Sequence, residues 1–138
     1  MKINAEKTKL YFDDTVCDKY FDFLEKRNIR SKSYIKALKD GDFGMLEENS
    51  ILIEGEEYMV TYILGSSKES IYDLIRVNQF YDLDPKEGTA FAIILGDDFL
   101  FFMPNDEKVY FFCRDTEEAK EVAADYDSFL ALIQFQGE

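Results

Sequence analysis

Three short apolar runs, Phe91-Ala-Ile-Ile-Leu95, Phe99-Leu-Phe-Phe-Met103 and Val109-Tyr-Phe-Phe-Cys113, are separated by Gly96-Asp97-Asp98 and by the stretch from Pro104 to Lys108. Each run is rich in aromatic or β-branched residues and bounded by turn formers, which predicts a three-stranded antiparallel meander. Nothing else in the chain is as apolar. Alternation places Phe99, Phe101 and Met103 on one face and Leu100 and Phe102 on the other. The same pattern sets Val109, Phe111 and Cys113 against Tyr110 and Phe112. Either helices cover both faces and these residues are core, or one face stays open and marks a binding or dimer surface.

Elsewhere the pattern alternates between helical and extended periods. Residues 1–14 are polar apart from Leu10-Tyr-Phe12 and read as an arm or a short edge strand. Val16, Tyr20, Phe23 and Leu24 recur at helical spacing over residues 15–27, with Asp14 or Thr15 as cap. Ser31 offers a second N-cap before the stripe Tyr34, Ala37 and Leu38, and Gly41-Asp-Phe-Gly44 ends that helix. Residues 51–53 and 58–64 then read as strands around a hairpin loop in which Gly55 supplies a positive φ. Ser66 and Glu69 fit a capping box for a helix with Ile71, Leu74 and Ile75 inward. A loop over residues 81–89 leads into the meander. After it, residues 117–122 read as a short acidic helix. Asp125 or Asp127 caps a closing helix that buries Phe129, Leu132 and Ile133 and runs to Phe135.

These elements predict an α+β fold, a central antiparallel sheet of about five to six strands packed with N-terminal, middle and C-terminal helices. The 138 residues form one domain, 1–138, with no repeat, low-complexity tract or linker. A hydrophobic share of 46% argues against disorder, because enough apolar surface is available to offset chain entropy. No apolar run approaches the roughly 20 residues needed to span a bilayer, and the first residues lack a signal peptide's apolar region, so a cytoplasmic address is expected. Cys17 and Cys113 are too few and too far apart for a disulfide framework and are expected as reduced, packed thiols.

Charge changes the picture most. The net of -13 is unevenly spread: residues 1–39 hold ten Lys/Arg and six Asp/Glu, a net of +4, and the remainder carries -17. Such a surface repels nucleic acid and anionic lipid and attracts a basic protein; the plainer alternative is solubility alone.

The chain has no histidine, which removes His-based triads, His-metal sites and the usual general base at neutral pH. Asp82-Leu-Asp84-Pro-Lys-Glu-Gly lacks the third oxygen ligand and the glycine position of a calcium loop. The glycines form no phosphate loop, and neither cysteine has a histidine to activate it. The residues therefore read as non-catalytic, with no cofactor and no metal.

The order of elements, with Val109-Tyr-Phe-Phe in the last central strand and Val122-Ala-Ala-Asp-Tyr-Asp-Ser-Phe-Leu130 at the closing helix, resembles the SUKH superfamily. That group of small domains includes the fungal Smi/Knr cell-wall regulators and many bacterial immunity proteins. Ala124-Asp125 and Ser128-Phe129-Leu130 resemble its closing signature, and Ile29, Tyr34, Leu38 and the turn from Gly41 to Gly44 its opening one. The chain departs from the pattern in having no Trp, no proline before Tyr34 and no Gly-Gly pair.

The resemblance implies a SUKH-like fold and an immunity protein that neutralises a cognate toxin, such as a nuclease, by stoichiometric binding through an acidic surface. An intracellular regulator or scaffold of the same superfamily is the alternative. Carboxylates can occupy the groove in which a nuclease gathers Lys and Arg for phosphates. The candidate contributors are Asp82, Asp84 and Glu87 in the long loop, Asp97 and Asp98 at one meander turn, and Asp106 and Glu107 at the next. Each taken singly also fits a solvated turn residue, since Asp bonds its local backbone in turns. The partner is expected to be a basic protein, neither nucleic acid nor membrane, and the chain itself a monomer or homodimer.

Overall fold

The computed structural model describes residues 1–13 and 16–137. Its elements run α1 (Ala5–Tyr11), α2 (Asp18–Lys26), α3 (Lys32–Lys39), β1 (Gly44–Met45), β2 (Asn49–Ile53), β3 (Glu56–Tyr58), β4 (Val60–Ile63), α4 (Leu74–Phe80), β5 (Thr89–Ile94), β6 (Asp98–Phe102), β7 (Val109–Cys113), β8 (Glu118–Ala123), α5 (Tyr126–Leu132) and β9 (Gln134–Phe135). Side-chain caps start most of the helices: Asn4, Ser31, Asp73 and Asp125 accept from the N–H groups of Lys7, Tyr34, Arg76 and Ser128. Helix α2 begins after Cys17 without a side-chain cap. The caps expected there, Asp14 and Thr15, lie outside the described residues.

The strands form a six-stranded sheet in the order β1-β4-β5-β6-β7-β8, antiparallel throughout, and a three-stranded sheet in the order β3-β2-β9. The expected meander is its centre, and the fold is α+β. Pairing of Leu100 with Phe111 and of Phe99 with Phe112 carries the predicted alternation across strands. The first face bears Phe91, Leu100, Phe102 and Phe111. Tyr34 of α3 and Tyr126 and Phe129 of α5 cover it, with ring centroids 5.4 to 5.7 Å from Phe91. Tyr58 of the small sheet covers Phe111 at 4.8 Å. The second face bears Tyr62, Ile93, Phe99, Phe101, Tyr110 and Phe112. Ile93, Phe99 and Phe101 are buried there too, whereas Tyr62, Tyr110 and Phe112 are half-buried, Tyr62 against the rings of Phe12 and Tyr72.

Several expectations are corrected. Residues 118–123 form β8 rather than a helix, because all of β7 pairs with it. The predicted strand over 58–64 is two: Tyr58 pairs with Ile51 in the small sheet, whereas Val60 pairs with Ile94 in the large one. Ser66 and Glu69 open no helix. An isolated parallel bridge joins Gly65 to Asp73, and the helix starts only at Leu74, which leaves Ile71 59% exposed. The N-terminal stretch is a helix, α1, and not an arm or edge strand. Helix α5 stops at Leu132, itself 45% exposed, so that Gln134 and Phe135 can pair with β2. Cys17 is exposed and Cys113 half-buried, so only the second of these free thiols is packed. Gly55 has the expected positive φ, 84°.

Two buried asparagines join the pieces. Asn78 of α4 donates to the carbonyls of Leu74 and Ala90 and accepts from the Ala90 N–H at 2.8 Å, fastening the helix to β5. Asn49 of β2 likewise donates to the Val60 carbonyl and accepts from the Val60 N–H, joining the two sheets. Replacing Asn78 with Ala leaves the Ala90 backbone unpaired in the core. Asn78→Ala is therefore expected to lower stability by about 2–3 kcal/mol, read as a reduced denaturant midpoint at unchanged slope.

A second expectation concerns pH. Burial and the hydrogen bond that its hydroxyl donates to Asp73 push Tyr20 from 10.0 up to about 12. Burial likewise raises Tyr34, Tyr62 and Tyr126. The folded chain thus keeps phenolic protons that the unfolded chain has already lost. Stability contributed by Tyr20 is complete below pH 10.0 and is lost as pH rises toward about 12. The denaturation midpoint should fall through that window, with tyrosinate absorbance appearing together with unfolding; a midpoint constant across it would refute the assignment.

Candidate functional site

The second face of the large sheet is where sequence and structure leave apolar surface beside charge. Ring contacts run across it from Tyr11 to Tyr72 (4.8 Å) and Tyr72 to Tyr62 (4.9 Å), then from Tyr81 to Phe99 (5.3 Å) and Phe99 to Phe112 (5.1 Å). Two grooves open on it. One, of about 380 Å³, is lined by Tyr62, Ile71, Val77, Phe80, Tyr81, Asp97 and Arg114. The other, of about 370 Å³, lies under residues 83–88, with Phe99, Phe101, Met103 and Phe112 as its apolar wall. Phe80 is 80% exposed at the end of α4, and Leu95 is 66% exposed beside the β5–β6 turn. Ile71 and Phe80 together give the first groove an exposed apolar edge.

Arg27 determines how much of this face is covered. Its guanidinium donates to the carbonyls of Leu83 (3.2 Å) and Gly88 (3.2 Å) and to the Thr89 hydroxyl (3.3 Å), strapping the loop over residues 81–88 across β6. The Phe23 ring supports it at 4.6 Å. Gly88 is required beneath the strap: its φ is +130°, and a Cβ there would lie 2.6 Å from the Phe101 ring.

The predicted carboxylates do not converge. Consecutive turns of an antiparallel meander fall at opposite ends of its strands, so Asp97 and Asp98 are separated from Asp106 and Glu107 by the length of β6, five residues or about 17 Å. Asp82, Asp84 and Glu87 lie along the strapped loop. Asp97 lines the first groove and Glu87 the second.

Most of the seven are also engaged locally. Asp82 and Asp97 hold positive φ angles of 53° and 70°. Asp84 accepts from the Lys86 N–H, and Asp98 from the Arg114 N–H at 3.0 Å. Asp106 accepts from the Lys108 N–H and the Tyr110 hydroxyl, both at 2.8 Å. Partial burial raises the Asp106 carboxyl, but these hydrogen bonds outweigh it and hold the group below its ordinary value. Glu107 is exposed.

Sequence reasoning missed Ile71, Phe80 and Arg114. The guanidinium of Arg114 stands 5.4 Å from the Tyr81 ring and offsets part of the negative charge at Asp97 and Asp98. Tyr81 is raised first by burial and then by Asp97, with Arg114 opposing. Phe80 lies outside the stripe read as Ile71, Leu74 and Ile75. Among the described residues no group of three or more His, Cys, Asp or Glu is placed to hold a metal ion. No helix among them is long and apolar enough to cross a membrane.

Arg27→Met should keep the apolar stem on Phe23 and remove the strap's donors. Amide exchange at Glu87 and Gly88, whose N–H groups donate to the Asp84 carbonyl, should then accelerate by about tenfold or more. Unchanged exchange would mean that the loop is held by other contacts.

In comparisons with family models, curated proteins and solved structures, nothing matches this chain.

Proposed function

We propose that this domain acts by stoichiometric protein binding, as an immunity protein of the SUKH type that captures a basic toxin in the cytoplasm, without making or breaking a covalent bond. The observation that carries the reading is the first groove, beside Tyr62 and Tyr81 on the second side of the large sheet. There Ile71 and Phe80 are exposed as apolar anchors beside the acidic turn of Asp97 and Asp98. An apolar centre with a charged rim is the arrangement by which protein interfaces combine affinity with partner selection. The net of -17 beyond residue 39 adds long-range attraction for a basic partner such as a nuclease, and so raises the encounter rate more than it tightens the final complex. The SUKH part of this reading rests on the sequence resemblance, in which Tyr34 and Phe129 are core positions, both fully buried, and not contact residues.

Capture of partners from lysate of the source cells, followed by kinetics with the retained protein, tests this reading. Asp97→Lys combined with Asp98→Lys is expected to slow association several-fold at low salt and to converge with the parent at high salt. Phe80→Ala is expected to speed dissociation by about tenfold while leaving stability within about 0.5 kcal/mol, because the ring is solvent-facing in the free domain. A specific partner whose binding ignores both variants would remove this face from the interface.

A further inference from the structure

The large sheet has two edges, and the fold treats them differently. The β1 edge is closed by the N-terminal segment. The Met45 N–H donates to the Thr8 hydroxyl at 3.0 Å, the Met45 carbonyl accepts from the Asn4 N–H at 2.8 Å, and Ile3 bridges Leu46. The opposite edge, β8, pairs with β7 on one side, and among the described residues no strand or loop backbone bonds to its other side. Alternate residues of such an edge point their N–H and C=O groups outward, where an extended chain can pair with them.

The same edge has a gap in its side chains. Across the second face a row runs through Phe99, Phe112 and Ala119, set by the pairing of Phe99 with Phe112 and of Phe112 with Ala119. The two rings stack at 5.1 Å, and the row then ends on an exposed methyl beside a half-buried ring. The groove of about 370 Å³ reaches this place, since Ala119 lines it together with Phe99, Phe101, Met103 and Phe112. A strand added outside β8 would set one residue directly opposite Ala119, with room over the methyl for a large side chain to reach Phe112.

Charge selects among the chains that could take that position. Residues 115–121 hold four carboxylates and one ammonium. That ammonium, of Lys120, lies 2.7 Å from Glu54, and Lys108 lies 3.1 Å from Glu121, whereas no ion pair among the described residues engages Glu117 or Glu118. A second copy fits poorly. Each copy carries a net of -13, and a two-fold antiparallel pairing centred on Glu118, Lys120 or Glu121 sets that residue against its own charge. Centred on Ala119, the pairing matches Glu118 with Lys120 but opposes Glu117 to Glu121 at both ends.

We propose that the outer edge of β8 is a strand-addition site for an extended basic segment of another polypeptide. The segment runs antiparallel to β8, as the strands of this sheet do to their neighbours, and sets a large apolar residue opposite Ala119. Its next two residues, Lys or Arg, meet Glu118 and Glu117. Backbone pairing supplies affinity, and the groove and the carboxylates supply selection. This surface is additional to the Phe80 groove and does not depend on it.

The test is an amide-shift titration of the isotopically labelled full chain with the blocked hexapeptide Thr-Val-Thr-Phe-Arg-Arg at low ionic strength. Saturable shifts are expected over residues 109–113 and 118–123, and one alternate set of β8 amides should exchange at least about tenfold more slowly in the complex. Replacing the peptide's Phe with Ala should weaken binding by about tenfold, and replacing both Arg with Glu should abolish it. Two peptides N-methylated at alternate residues separate strand addition from charge attraction, because only one of them loses the donors aimed at β8. One should bind like the parent peptide and the other not at all.

Ala119→Lys, at an exposed position, should melt near the parent and weaken the hexapeptide by about tenfold. Glu6→Gln makes the same change of net charge on α1, at the opposite edge, and should leave binding unchanged. Equal affinity of the two methylated peptides, shifts scattered over the acidic surface, or parental affinity in Ala119→Lys would overturn the site. Dimerisation of the chain that Ala119→Lys abolishes would overturn the basic segment in favour of a second copy. The hexapeptide needs no natural partner. Its failure therefore leaves the Phe80 groove untouched, and its success beside a partner that ignores the Asp97, Asp98 and Phe80 variants would discard that groove while keeping the β8 edge.

Discussion

All six residues of β5 are buried, which leaves no side of that strand for water. This constraint organises the molecule. A strand dry on both faces requires cover on both, and the stacked pair Phe91 and Phe102, with centroids 4.2 Å apart, supplies the surface on which α3 and α5 close the first side. The second side is closed by α4, by the strapped loop and by Phe12 and Tyr72 against Tyr62, and leaves Tyr110 and Phe112 half-buried. The candidate docking surface is thus the remainder left when a two-sided strand sits in a sheet that is covered unevenly.

The joints between layers are polar. Each of Asn49 and Asn78 takes the place of a missing backbone neighbour, donating to and accepting from a single residue as a strand would. Tyr20 ties α2 to Asp73, the residue that also caps α4 and accepts from the Ser67 N–H. Such satisfied networks fix one arrangement among many that apolar packing alone would tolerate. Among the described residues the buried Tyr126 hydroxyl is the exception to this pattern.

The meander, α3 with its Ser31 cap and the cap of α5 at Asp125 were legible because each rests on near-neighbour chemistry: turn residues, alternation and capping side chains. Where tertiary pairing decided, local pattern failed. Glu118-Ala-Lys-Glu-Val-Ala is rich in helix formers, yet it is an edge strand because β7 offers it a complete ladder. Residues 58–64 look continuous, but the break at Met59 sends Tyr58 and Val60 to different sheets. For the candidate site, the seven carboxylates were visible as turn residues, and their dispersal to opposite ends of β6 was not. Arg27 reaches across more than fifty residues to Leu83, and the isolation of the Tyr126 hydroxyl depends on what fails to approach it. Neither leaves a trace in spacing.

The order of the sheets also bears on how the chain can assemble. From β5 to β8 each strand pairs with the next in sequence across a short connection, and such hairpins are quick to close. The small sheet is different, since β2 must wait for β9 and joins Asn49 to Phe135 across most of the chain. Loop-closure entropy sets that contact apart from all the local ones. The two-residue strand at Gln134 and Phe135 therefore acts as a latch, engaged when the meander and its helices are already in place.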